Sequence, residues 1–347
     1  MTNILFTSVG GKFTYDTITG LKSIDKNIKV IGVDSNPNVE KSFFDYFEHV
    51  PRADLIRKKY INKILSIAKK YKVKIVMVNS ENESLAVSYY KNLFEKKNIL
   101  TSVGDFKTVS LMTDKFEMMN FLNMHNLDTG KFKKISNLAE AELEIFRFGY
   151  PKKKVILKQR YGSGSRGIFV INSNINKCKE LLTDRICLEG NWNIIKDQIK
   201  LKLGSLDNFL LMPFYDGDTF DVDCVANRGK LVNISIRRRI YENPFSPVNE
   251  GCELVENSKI SKYCENIVKI LNIHKACDFD ITLDNKKKPK ILDASSRLSG
   301  SVGASIVGGK NILKDLLSVI QSKKIKIQKT NNKKRLRILP VAKFIKI

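Results

Sequence analysis

Three separated segments carry residue types suited to phosphate and metal chemistry. The first, Ile156-Leu157-Lys158-Gln159-Arg160-Tyr161-Gly162-Ser163-Gly164-Ser165-Arg166-Gly167, sets a lysine on an apolar, strand-like run and follows it with a glycine-serine loop. Glycines admit positive φ, so the N–H groups of such a loop can turn toward one anion. An ammonium group beside Ile156 and Leu157 is costly to bury unless an anion meets it. The other two, Asp278-Phe279-Asp280 and Asp293-Ala294-Ser295-Ser296-Arg297-Leu298-Ser299-Gly300-Ser301, supply carboxylates of the kind hard divalent cations take, and a guanidinium whose planar fork fits a phosphoryl group. Together they describe a site for a nucleoside triphosphate and a divalent cation. Singly, each has an ordinary structural explanation, because Gly-Ser pairs make hairpin turns and aspartates end strands.

The elements that must position these segments can be read from hydrophobic periodicity. Residues 1–108 alternate strand runs (Ile4 to Val9, Ile28 to Val33, Ile75 to Asn79, Leu100 to Val103) with helical patterns such as Tyr60 to Lys70, where Ile61, Ile64, Leu65 and Ala68 keep the three-and-four spacing of a crossover helix. That order predicts a doubly wound parallel sheet, with ligands at the carboxyl ends of its strands. The turns there contain Gly10, Gly11 and Glu83. The run Val9-Gly10-Gly11-Lys12-Phe13 lacks the G-x-G-x-x-G spacing of a dinucleotide site, so NAD is not expected. Val109 to Leu127 reads as one linking helix carrying Lys115. Residues 128–212 read as a small lobe around the glycine loop, with strands Val155 to Gln159 and Gly167 to Ile171. Residues 213–330 read as an antiparallel-rich larger lobe with the acidic segments on its last two strands, and 331–347 as a terminal basic strand. In Ile236-Arg237-Arg238-Arg239-Ile240 strand alternation sends Arg237 and Arg239 to one face and Arg238 to the other.

The order and spacing of these motifs resemble the ATP-grasp superfamily, in particular its carboxylate-amine ligases and the ATP-grasp halves of carbamoyl phosphate synthase. The resemblance spans nearly the whole chain and implies an ATP-grasp fold preceded by the doubly wound sheet. It implies ATP with Mg2+ (or Mn2+), a carboxylate activated as an acyl phosphate, and an amine that captures it, both small-molecule substrates. By that resemblance Lys115 and Lys158 contact phosphates, and Ser163, Gly164, Ser165 and Gly167 belong to a lid over them. Asp280 and Asp293 are implied as metal ligands, with Ser295 where the family has asparagine and Asp278 in reserve on the same strand face. Arg297 holds the transferred phosphoryl group and Arg239 assists, while Met212 and Phe214 border the base. Pro213 stands at the usual hinge glutamate and Thr219 at a usual acidic position, which leaves Asp218 or Asp221 to meet the ribose. Gly10, Gly11, Glu83, Ser299, Gly300 and Ser301 are implied substrate contacts. The departures at Pro213, Thr219 and Ser295 motivate an alternative, a nucleotide-binding protein with weakened or lost catalysis.

The composition limits other readings. With 42% hydrophobic and 28% charged residues in 347, the chain is neither disordered nor membrane-spanning by composition. It opens on a strand-like stretch with no signal-like segment, which reads as cytoplasmic. Its six cysteines show no C-x-x-C pair and read as reduced core thiols rather than zinc ligands or disulfides. The formal net charge of +25 is spread with Ile and Asn through the chain, as in Lys286-Lys287-Lys288, so it reads as solvated surface and no nucleic-acid partner is expected. A homo-oligomer is compatible with all of this.

Overall fold

The computed structural model describes residues 2–11, 14–55, 57–162, 164, 166–183, 185–240, 245, 251–323 and 334–337. Most of the expected C-terminal segment, and the lid serines Ser163 and Ser165, lie outside them.

Three sheets succeed one another along the chain. The first joins β1 (Thr2–Thr7), β2 (Ile28–Asp34), β3 (Tyr46–His49), β4 (Ile75–Met77) and β5 (Leu100–Thr101), all parallel, in the order β3-β2-β1-β4-β5. Alternation along β1 and β2 feeds two cores. Ile4, Phe6 and Val30 pack on α1 (Thr14–Lys22) and on α11 (Ile312–Ile320), and Leu5, Ile31 and Val33 pack on α2 (Arg57–Lys70). The parallel sheet is as the sequence predicts, with β3 added. That edge strand, Tyr-Phe-Glu-His, is short and half exposed and gives no apolar run to detect. Helices α3 (Glu81–Tyr89) and α4 (Lys91–Glu95) complete this region.

The expected linking helix is two helices, α5 (Phe106–Thr113) and α6 (Lys115–Met124), broken at Asp114, which is extended (φ −100°, ψ 101°) and accepts the N–H groups of Phe116 and Glu117. A helix-capping aspartate favours this break over continuation. The second sheet holds β6 (Lys133–Ile135), β7 (Val155–Gln159), β8 (Ile168–Ile171), β9 (Lys179–Glu180), β10 (Cys187–Gly190) and β11 (Phe209–Pro213), with α7 (Leu138–Arg147) and α8 (Trp192–Lys202) covering one face through Ile145, Trp192, Ile195 and Ile199.

The third sheet is antiparallel throughout, in the order β16-β15-β12-β13-β14-β17, from β12 (Thr219–Asn227), β13 (Lys230–Arg239), β14 (Gly251–Val255), β15 (Lys275–Leu283), β16 (Pro289–Ser295) and β17 (Lys334–Arg337). Phe279, Ile281 and Ala294 face a core shared with α9 (Ser258–Ile270) and with Met118, Met119 and Leu122 of α6. Val225 and Ala276 join α11 and the first sheet in a second core, so the third sheet is anchored to both neighbours. Of the cysteines, five are buried and Cys178 is exposed, a departure from the expectation of core thiols throughout.

One polar knot fixes the segment after β16. Asp223 and Arg237 are fully buried and paired at 2.6 Å. Asp223 accepts the Ser299 N–H at 2.6 Å, and Arg237 donates to Ser299 Oγ at 2.7 Å and to Ser305 Oγ at 2.6 Å, on the short helix α10 (Val302–Val307). Removing one partner of such a pair strands the other charge in the interior. Asp223→Ala is therefore expected to lower unfolding free energy by about 3–5 kcal/mol in urea titrations, while Glu265→Gln, at the exposed Lys262–Glu265 pair, changes it by under about 0.5 kcal/mol.

Candidate functional site

A cleft lies between the second and third sheets. Ile156, Ile168, Met212, Phe214, Tyr215, Phe245 and Leu292 give it an apolar part, and Lys115, Lys158, Arg239, Asp280 and Asp293 a charged part, with Gly162 and Arg166 of the glycine loop at the margin. Strand pairing sets this arrangement, because β7 runs antiparallel to β11 with Ile156 opposite Met212 and Lys158 opposite Leu210. The structure thus brings together Lys115, Lys158, Met212, Arg239, Asp280 and Asp293 from six elements, with Phe214 directly after β11.

Lys158 is buried and donates to the Leu292 carbonyl. Burial pulls its ammonium down to about 8, against the attraction of Asp293. Lys115, the first residue of α6, reaches the Gly162 carbonyl and pairs with Asp293 at 3.1 Å. The stem of the loop is held at the same point. Arg160 binds Asp114 through two nitrogens at 2.6 and 2.5 Å, and Tyr161 donates to Asp114 at 3.0 Å. Neither Asp114 nor Arg160 was singled out from sequence, although both directly adjoin motif residues.

On the third sheet Asp280 lies opposite Asp293, and Asp278 opposite Ser295. Phe279 and Ala294, between them, turn into the core, so the four polar side chains share the opposite face, of which Asp280 and Asp293 line the cleft. Burial raises Asp280 to about 7, opposed first by Arg239, which pairs with it at 3.3 Å and with Asp221 at 2.7 Å. Burial also holds Asp278 well above the usual carboxylate range. Arg297 pairs with Asp278 at 3.2 Å and donates to the Leu298 carbonyl at 2.9 Å. The all-oxygen donor set suits a hard divalent ion, and two atoms on this face, Asp278 Oδ1 and Ser295 Oγ, are buried without a hydrogen-bond partner. Among the described residues, however, no three His, Cys, Asp or Glu side chains converge on one point. The carboxylates are spread among basic partners instead.

Several expected contacts sit elsewhere. Asp221 is buried against Arg239, and Asp218 lies 3.6 Å from Arg238 in an adjoining hollow that shares Phe214, Tyr215, Thr219, Arg239 and Phe245 with the cleft. The Gly167 N–H donates to the Ile186 carbonyl at 2.8 Å and is committed to the sheet rather than to an anion. Its φ of +66° and the Gln159 side chain packed where a Cβ would stand explain the glycine. Gly164 is exposed and its carbonyl accepts from Arg185. Glu83 is buried and takes the hydroxyls of Thr7 and Ser8 at 2.5 and 2.8 Å, which makes it a brace within the first sheet. Two residues earlier stands Glu81, the first residue of α3. Burial and then Asp293 raise it to about 7, while Lys115 and Arg297 oppose the rise. The Gly10 N–H donates to Asp34 at 2.8 Å, Gly11 is exposed beside it, Ser299 and Ser301 are buried with the Asp223–Arg237 knot, and Gly300 is exposed.

Comparison with solved structures places this architecture. Biotin carboxylase from Campylobacter jejuni, in complex with β-γ-ATP, matches with a TM-score of 0.68 at 14% identity over 94% of this chain and 72% of that one. The chain has the ATP-grasp fold. Carboxyaminoimidazole ribonucleotide synthase from Aspergillus clavatus, complexed with ATP, gives 0.67 at 14% identity (94% and 78% covered), and L-amino acid ligase from Bacillus licheniformis 0.66 at 14% (92% and 74%). Residues 205–344 match the family described as ATP-grasp in the biosynthetic pathway with Ter operon. No curated protein matches the sequence. No helix among the described residues is long and apolar enough to cross a membrane.

The buried Lys158 has a stability consequence. Between pH 8 and the ordinary lysine value near 10.5 the unfolded chain binds this proton and the folded chain does not, so the residue adds stability as pH rises through that window, by up to roughly 1.4 kcal/mol per pH unit. Below pH 8 its burial is a cost. Lys158→Met is expected to be more stable than the parent at pH 7 in urea unfolding and to show a smaller rise between pH 8 and 10, the remainder coming from Lys275, which burial also pulls down to about 8. An equal pH slope in both proteins would refute the assignment.

Proposed function

We propose that this protein is an ATP- and Mg2+-dependent ligase that activates a small carboxylate as an acyl phosphate and joins it to an amine. The observation that carries the reading is one cleft with an apolar slot for a base at Ile156, Met212, Phe214 and Leu292, continuous with Lys115, Lys158 and Arg239 and with the carboxylates Asp280 and Asp293. A slot and a cationic floor of this kind suit a nucleotide with its phosphates. The ATP-grasp fold supports the choice of nucleotide, and the names of the similar structures, a carboxylase, a synthase and a ligase, support the reaction class.

In this mechanism a carboxylate oxygen of the substrate attacks the γ-phosphorus and the bond to the β-phosphate oxygen breaks, releasing ADP. The amine then attacks the acyl carbon, phosphate leaves with the bonding electrons, and the amine loses a proton. Lys158 and Lys115 offset charge on the departing phosphates, and Arg297 holds the transferred phosphoryl group with its fork. Asp280 and Asp293, with Asp278 beside them, would hold Mg2+, which would supply positive charge to offset that of the phosphates. No side-chain nucleophile is needed, so rate enhancement comes from positioning and electrostatics. The six free cysteines fit a reducing, cytoplasmic setting.

ADP release from ATP and Mg2+ is expected to rise with one carboxylate–amine pairing from a panel of amino acids and small acids. Arg297→Ala should reduce that stimulated rate by roughly 100-fold or more while ATP still binds. Nucleotide binding with no dependence on Mg2+ and no stimulation by any pairing would favour a binding protein without catalysis.

A further inference from the structure

Three acidic and three basic side chains meet pairwise in and beside the cleft: Asp280, Asp293, Arg239 and Lys115 line it, and Asp278, on the same ribbon face, meets Arg297 just beyond the lining. Asp278 pairs with Arg297 at 3.2 Å, Asp280 with Arg239 at 3.3 Å and Asp293 with Lys115 at 3.1 Å. The carboxylates come from one face of the β15–β16 ribbon, while the cations come from three different elements, α6, β13 and the segment after β16. Ser295, at 5% exposure, completes the face with a hydroxyl that has no partner, next to the equally partnerless Oδ1 of Asp278. The oxygens a cation needs are therefore present but are held apart by the groups a polyphosphate needs.

We propose that nucleotide and divalent cation enter this site by one exchange of ion-pair partners: Lys115, Arg239 and Arg297 pass from Asp293, Asp280 and Asp278 to phosphate oxygens, and the released carboxylates turn to the cation. The inference rests on the nucleotide reading above. Its physical basis is that either half of the exchange alone strands like charges in one desolvated patch. Phosphates without the cation leave three neighbouring carboxylates without counterions, and the cation without phosphates does the same to three basic groups. Only the complete exchange keeps every charge compensated. Arg239 is built for this, because its bonds to Asp221 at 3.1 and 2.7 Å anchor the guanidinium while the longer contact to Asp280 is given up. Asp278 then supplies the carboxylate that the short Ser295 side chain cannot replace. Coupling of this kind is reciprocal, so each ligand tightens the other by the same factor.

The test is the dissociation constant of ADP measured calorimetrically in EDTA and in saturating Mg2+, together with Mn2+ binding to the nucleotide-free protein by electron paramagnetic resonance. The parent protein is expected to bind ADP at least ~100-fold more weakly in EDTA, and Mn2+ alone only weakly. Asp278→Asn and, separately, Asp293→Asn each release one cation in advance. Each should shrink the Mg2+-dependent gain roughly tenfold, with metal-free ADP binding becoming tighter than in the parent. Two variants at separate pairs keep the test decisive if one fails to fold. Metal-free affinity that is unchanged or weaker in both, or tight Mn2+ binding without nucleotide, overturns the exchange while leaving the nucleotide site intact. A folded protein that binds no ADP under any condition overturns the nucleotide reading itself.

Discussion

Everything at this site follows from crowding three carboxylates onto one face of a two-stranded ribbon. The register of β15 and β16 puts Asp280 opposite Asp293 and Asp278 opposite Ser295, and a face so charged is tolerated in a partly buried cleft only if each charge is met. The sheet order then decides what meets them. β12 lies between β15 and β13, so Arg239 reaches past Asp221 of β12 to Asp280, and α6 packs on the same core so that its first residue, Lys115, reaches Asp293. Arg297 is returned to Asp278 because the chain after β16 is held down by Asp223 and Arg237. Compensation of charge, rather than shape alone, connects elements that are far apart in sequence.

The glycine loop depends on the same economy of anchors. Asp114 stops one helix, caps the next, and receives Arg160 and Tyr161 from the loop's stem. One carboxylate thus fixes Lys115 and the start of the loop relative to each other. The far end is fixed by the Gly167 N–H on Ile186. Both ends of the loop are thus tied to the scaffold, one through Asp114 and the other through Ile186.

What was legible in the sequence was whatever rests on local periodicity or on a residue type with few uses. The parallel sheet, the strands around the loop and the acidic ribbon fall in that class, since Leu5 and Phe6 or Phe279 and Asp280 alternate plainly. The breaks were less legible. An apolar pattern runs through Asp114, where the chain breaks because the carboxylate caps the next helix and is held in place by Arg160. Side-chain direction at turns was illegible for a related reason: Glu81 and Glu83 are equivalent in the sequence, and the choice between them is made by α3 docking with Glu83 against Thr7 and Ser8. Asp221 and Gly167 were assigned by analogy to ligand contacts, yet the first is claimed by Arg239 and the second by the sheet, partners set by strand register.

The site is also a burden that the scaffold has to carry. Lys158 is buried with its ammonium pulled down, and Asp278 and Asp280 are pushed up, so each would be easier to accommodate as an apolar residue. Their position between large cores makes this bearable. Phe279, Ile281 and Ala294 alternate with the charged residues on the same two strands and bury their side chains against α9 and α6, so the ribbon that exposes carboxylates on one face is held by hydrophobic packing on the other. The alternation cannot be shifted by one residue without exchanging the faces, which would bury the carboxylates in the apolar core. Strand register is therefore as much a part of the site as any of the charged groups it displays.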